Sequence, residues 1–175
     1  NVFYQNSTKT FISNFAERPS KLFEGAERNL SIVIAKIERL YKCKELYTTY
    51  YYKWKSENRN QVFNSISYYN ATNIVLPSNC PKIGCRPEFT ILQKLRSIKN
   101  NIGFYTCRQT NNVFYYKNSG GRYWKFMTTF KPLFYLNGSI GTSSRETHLY
   151  FDSVDKLKVF TSTFNSSLYY WYYIM

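Results

Sequence analysis

A chain of 175 residues with 43% hydrophobic content is long enough for one main folding unit with a real core, alone or joined by a fragment of a neighbouring domain. Its 24 Lys+Arg against 10 Asp+Glu give a formal net charge of +14 spread along the chain, so the partners to expect are nucleic acid, an anionic membrane surface or an acidic protein. The same composition excludes a membrane-spanning helix, because no apolar run approaches about 20 residues, and a disulfide scaffold, because Cys43, Cys80, Cys85 and Cys107 are too sparse and follow no signal peptide. The thiols read as reduced and the protein as cytoplasmic. Eighteen Tyr, 14 Phe and three Trp tilt the choice of partner toward nucleic acid.

The residue pattern predicts an α+β fold, a mixed and largely antiparallel sheet with several helices packed on it. Val2 to Phe15 alternates loosely and reads as strand or extended chain, and Arg18-Pro19-Ser20-Lys21 then breaks it. Leu30-Ser31-Ile32-Val33-Ile34-Ala35 is an uncharged, β-branched run of the kind buried on both faces of a sheet. Composition turns Tyr- and Lys-rich after Lys36, which places a domain boundary near residues 36 to 40. Glu45 to Trp54 reads as strand, and a short helix is expected from about 56 to 66, where Val62, Phe63 and Ile66 have helical spacing. At its entrance Lys53-Trp54-Lys55 would either face a phosphate or pack Trp54 between solvated lysines. Ser67 to Leu76 is expected as strand, Pro77 to Pro87 as loop, and Pro87 to Asn100 as a helix with Ile91, Leu92, Leu95 and Ile98 on one stripe.

The stretch from Asn111 to Arg145 holds the densest chemistry. Tyr115-Tyr116-Lys117-Asn118-Ser119-Gly120-Gly121-Arg122-Tyr123-Trp124-Lys125 reads as a β-hairpin, its second strand continuing from Phe126 toward Tyr135. Lys117, Arg122 and Lys125 would neutralise phosphates or pair with base edges, while Tyr123 and Trp124 offer flat faces. The competing reading of the two rings is inward packing. Asn137 to Arg145 reads as a polar loop in which Ser143, Ser144 and Arg145 are candidate phosphate contacts. Thr147 to Phe151 is expected as strand, followed by a Ser153-capped helix whose apolar side runs from Val154 to Leu168. The aromatic run to Met175 and the start at Asn1 read as a chain cut from a longer protein.

Catalytic and cofactor patterns are missing. A triad would have to rest on His148, the one histidine, and Glu146, Asp152 and Asp155 follow no metal-nuclease spacing. The four residues between Cys80 and Cys85 allow no zinc site without further ligands, and neither a Gly-x4-Gly-Lys-Ser/Thr loop nor a Gly-x-Gly cofactor turn is present. Five Asn-x-Ser/Thr triplets, at Asn6, Asn29, Asn70, Asn137 and Asn165, carry no weight without secretion. No catalytic or metal residue is assigned, and the chain reads as a binding module.

Ser13-Asn14-Phe15-Ala16-Glu17-Arg18-Pro19-Ser20-Lys21-Leu22-Phe23-Glu24-Gly25, followed by Leu30-Ser31-Ile32-Val33-Ile34, resembles N6-adenine DNA methyltransferases of restriction-modification systems. Leu46 to Tyr50 with Trp54, Ser56-Glu57 and Arg59, then Tyr115 to Lys125, Thr142-Ser143-Ser144 and Asn165 to Trp171 resemble, in order, the C-terminal half of these enzymes. The resemblance implies that residues 1 to 36 are closing strands of an upstream methyltransferase domain and 37 to 175 a target-recognition domain truncated at its C-terminus. It also implies that S-adenosylmethionine and the flipped adenine are held upstream of Asn1, since none of the five prolines here follows Asn or Asp. The implied partners are double-stranded DNA, the upstream domain, and a nuclease domain or subunit where the parent protein cleaves DNA. No membrane partner is expected. Arg18 and Lys21 join the candidate DNA contacts. An RNA- or single-strand-binding module and a protein-interaction domain stand as the alternative readings.

Overall fold

The computed structural model describes residues 6–38, 44–74, 79–118 and 127–175. Its fold is α+β, and among the described strands only one pairing is parallel. The chain divides into two compact units, one of Asn1–Ser97 with Ile174–Met175 and one of Ile98–Tyr173.

In the first unit, β1 (Lys9–Phe15), β2 (Leu30–Lys36), β3 (Glu45–Tyr52) and the short β4 (Tyr69–Asn70) form a sheet in the order β2-β1-β3-β4. β1 is antiparallel to β2, from Lys9 opposite Lys36 to Phe15 opposite Leu30, and parallel to β3. The sheet therefore runs across the composition change near residues 36 to 40. The β1–β3 register slips between Ile12 and Asn14, and side chains repair the ladder there. Asn14 donates its backbone N–H to Thr49 Oγ1 at 3.0 Å and its amide to the Thr49 carbonyl at 3.1 Å, while its Oδ1 accepts from Ser31 at 2.9 Å. An irregular ladder in a buried strand thus leaves no orphaned donor at this residue.

The core of this unit is Phe15, Leu22, Tyr52, Trp54 and Val62. Trp54 packs edge-on against Phe15, with ring centres 5.9 Å apart, so of its two readings packing is the one seen. Behind β3, Gly84 lies so close to the chain that a Cβ there would sit 2.6 Å from Tyr50 Cδ1 and 2.8 Å from Tyr50 N. Backbone cannot yield as a flexible side chain does. Gly84→Ala is therefore expected to cost about 1–3 kcal/mol of stability, measured by urea denaturation, and a cost near zero would show that the approach relaxes freely.

Several local expectations need correction. β2 was expected to be buried on both faces, yet Val33 and Ile34 are 37% and 63% exposed, because β2 is the edge strand and has no second strand beside it among the described residues. The helix expected from 56 to 66 is a 3₁₀ turn over Ser56–Gln61, with Ser65 and Ile66 in following turns. Two asparagines and a serine in that hexapeptide favour local bonding over α-helix. The strand expected from 67 to 76 is only Tyr69–Asn70 before Thr72–Ile74 turns as 3₁₀, because Asn70 Oδ1 accepts from both the backbone and the hydroxyl of Thr72 and bends the chain. Helix α1 (Arg86–Ser97) forms close to where its apolar stripe predicts.

In the second unit, β5 (Val113–Lys117) is the centre of a sheet ordered β6-β5-β9, with β6 (Met127–Thr128) and β9 (Glu146–Tyr150) antiparallel on its two sides. Among the described residues the second hairpin strand ends at Thr128, whose hydroxyl donates to the Phe130 carbonyl, and does not run on to Tyr135. The expected loop from 137 to 145 holds a hairpin of its own. β7 (Phe134–Leu136) and β8 (Ser139–Gly141) pair across Asn137-Gly138, whose φ values of 52° and 82° suit a two-residue hairpin turn. A one-turn helix, α2 (Ile102–Tyr105), precedes the sheet. Helix α3 (Val154–Phe164) starts at Ser153, whose Oγ accepts from Lys156 N, and ends at Asn165 rather than continuing to Leu168. Ser166 then accepts from Tyr169 N and opens α4 (Ser167–Ile174). Phe114, Phe151, Leu157 and Phe164 form the core, joined by Tyr116, Met127, Leu149, Phe160 and Tyr169.

Candidate nucleic-acid interface

Antiparallel pairing decides which residues of the second sheet share a face, since side chains directly opposite one another point the same way. Phe114 lies opposite Leu149, and Tyr116 opposite Thr147 and Met127, which puts them on the face that meets α3 in the core. The other face carries Val113 with Tyr150, Tyr115 with His148 and Thr128, and Lys117 with Glu146. Lys117 is half-buried, His148 exposed.

At the Lys117 end the chain segments predicted to touch phosphate come together. Asn118 donates its backbone N–H to the Arg145 carbonyl at 2.9 Å and its amide to Thr147 Oγ1 at 2.5 Å. Ser143 Oγ accepts from Arg145 N at 3.2 Å, and the Ser143 carbonyl accepts from Glu146 N. The turn of residues 143–145 is thereby pinned beside the end of β5, with Ser144 and Arg145 exposed. Neither Lys117 nor Arg145 takes part in an ion pair among the described residues. Two cations that form no ion pair among the described residues, Lys117 opposite Glu146 in the ladder and Arg145 exposed, lie beside serine hydroxyls on a surface that an anionic oxygen can satisfy. Arg122, Tyr123, Trp124 and Lys125 lie outside the described residues.

Along the same face, Glu146, His148 and Tyr150 form a row at alternate positions of β9. His148 Nε2 lies 2.8 Å from Glu146 Oε1, and its Nδ1 is 3.4 Å from the Tyr150 hydroxyl. The Glu146 side chain is only 5% exposed, so His148 partners a carboxylate that would otherwise be buried alone. Tyr115 meets the imidazole edge-on at 4.9 Å. Among the described residues no group of three His, Cys, Asp or Glu side chains is placed to hold a metal ion.

Arg18 and Lys21 belong to the first unit. Arg18 is largely exposed, with Nε 3.9 Å from Glu17 Oε1, while Lys21 donates to Glu27 at 2.9 Å. They flank a shallow hollow of about 410 Å³ lined by Pro19, Ser20, Lys21, Glu24, Gly25, Ser56 and Arg59. Arg59 was not among the candidate contacts, although it lies in the stretch that carries the resemblance. Its guanidinium donates to the Lys21 and Leu22 carbonyls at 3.2 and 3.0 Å and so ties the loop to the 3₁₀ turn. Arg59→Ala is expected to lose both bonds, cost about 1–3 kcal/mol, and speed amide exchange across residues 20–25. Unchanged exchange there would show that the loop is held by other contacts.

The Tyr50 hydroxyl is pushed up to about 12, by burial first and then by its neighbour Tyr52, whose ring centre is 4.1 Å away, and burial also raises Tyr169. Comparison with protein-family models, curated proteins and solved structures finds no match to this chain. No helix among the described residues is long and apolar enough to cross a membrane.

Proposed function

We propose that this chain is the DNA-binding, target-recognition part of a restriction-modification adenine-N6 DNA methyltransferase. It positions duplex DNA in the cytoplasm for base extrusion and methylation by a catalytic domain outside this chain. The observation that carries the reading is the pinning of residues 143–145 against the end of β5, which groups Lys117, Ser143, Ser144 and Arg145 on one edge of a sheet. A duplex offers one phosphate per about 1.7 Å of axis, which cations gathered at one end of a sheet can meet. The second unit carries nine Lys+Arg against three Asp+Glu, so its charge favours the same partner.

The first unit supports the other half of the reading. β2 is apolar in sequence and exposed in place, an edge that proteins ordinarily cover or blunt with charge. Addition of a strand and helices from an upstream methyltransferase domain would bury Val33 and Ile34. S-adenosylmethionine would be held by that domain, and so would the flipped adenine, because the Asn/Asp-Pro-Pro-Tyr/Phe element that holds it in the family is not in this sequence. No methylation step is assigned to residues of this chain.

Hydrogen exchange with and without a random-sequence DNA duplex tests the reading. Amides of residues 113–118 and 143–150 are expected to gain protection. A duplex that binds while protecting neither segment would overturn the assignment.

A further inference from the structure

The row of rings on the second sheet is not needed to hold a phosphate backbone, and its chemistry suits a different part of a nucleic acid. We propose that the face carrying Tyr115, His148 and Tyr150 binds an unpaired nucleobase, with Lys117 and Arg145 taking the phosphates that flank it. This rests on the DNA-binding reading and deepens it, by assigning the aromatic face to an unpaired base other than the adenine that the upstream domain would hold.

The opposite face of the sheet supplies the core, and the rings on this one are held by contacts with one another and with Glu146. They are already organised. The imidazole plane stands at 76° to both Tyr115 and Tyr150, with centres 4.9 and 6.2 Å away. The Glu146 carboxylate fixes the ring at one nitrogen, and the Tyr150 hydroxyl approaches the other. The three rings do not share a plane, so a planar base would stack on a single ring of the row, whose orientation its neighbours already hold. Stacking of this kind tolerates any base, because every base has a π-face. The partner is further narrowed by charge: the cations lie at one end of the row, at Lys117 and Arg145, where a backbone leaving the stacked base would pass. Paired bases inside an intact duplex present only their edges to the grooves, so a base that stacks on these rings is one opened from the helix or one in a single strand.

Fluorescence anisotropy with the whole chain tests this, using an intact duplex, the same duplex with a single-base bulge, and the single strand. The bulged duplex is expected to bind about 5- to 100-fold more tightly than the intact one, the range that one stacked base supplies. In His148→Ala and Tyr150→Ala the ratio of the two affinities should fall toward one. His148 is exposed, so its variant keeps the test open if removal of Tyr150 harms folding. A 2-aminopurine in the bulge should lose emission on binding and keep it in the variants. Equal affinities for bulged and intact duplex would overturn the inference and leave the duplex reading standing. Binding of the single strand alone, lost in the His148 and Tyr150 variants, would support the face while overturning the duplex reading.

Discussion

Phe15→Ala is expected to lower the unfolding free energy of the first unit by about 3–5 kcal/mol, the range for deleting a fully buried aromatic ring. Phe15 has no solvent exposure and lies at the end of β1, the strand paired on both sides. Its ring meets Tyr52 at 6.0 Å, Trp54 at 5.9 Å and Phe63 at 6.1 Å. Alanine would leave those rings without a common neighbour. The cavity cannot collapse cheaply, because β1 is held by ladders to β2 and β3 and by the Asn14–Thr49 bonds one residue away. Urea denaturation followed by circular dichroism measures the loss. A change below about 1 kcal/mol, smaller than any ordinary large-to-small core substitution, would mean that Phe15 does not organise this core.

Charge reversal at Lys117 and Arg145 together is expected to weaken duplex binding by about 100-fold at moderate salt. Two charge-assisted contacts of about 1.5–3 kcal/mol each support at least that loss. The salt dependence is the sharper readout. Each phosphate contact contributes roughly 0.9 to the slope of log affinity against log salt, so Lys117→Glu with Arg145→Glu should make the slope shallower by about 2. Loss of affinity with an unchanged slope would mean that the substitutions acted on the fold or on base contacts instead. Because Lys117 lies opposite Glu146, the neutral pair Lys117→Gln with Arg145→Gln is the control for folding: it should keep the wild-type circular dichroism spectrum while still lowering the affinity and the slope.

The parts of the fold that the sequence disclosed are those governed by local periodicity. The stripe of Leu92 and Leu95, the Ser153 cap and the β-rich runs of β1 and β3 each follow from residues within one element. What it hid depended on competition between neighbours. Asn70 alone diverts a strand-like run into a turn, and the Thr128 bond to the Phe130 carbonyl bends the chain where aromatic composition would extend a strand. β2 was misjudged because apolar composition reports what a strand needs, whereas exposure depends on what lies beside it. Within the candidate site, Lys117 and Ser143 to Arg145 could be named from residue type, but their meeting required the β5–β9 register. The Tyr115, His148 and Tyr150 row stayed hidden for a related reason. Alternate positions on β9 are visible in sequence, yet the face they share with Tyr115 is set by which strand pairs with which.

The central claim, that this chain grips duplex DNA, is tested most directly by titrating one random-sequence duplex, its single strand and an RNA of the same sequence at low and high salt. The account predicts tightest binding to the duplex, weakened about 10³-fold or more as salt rises from 50 to 200 mM if six or more phosphates are contacted. Duplex binding that is absent at low salt, or that persists unchanged at high salt, would contradict it.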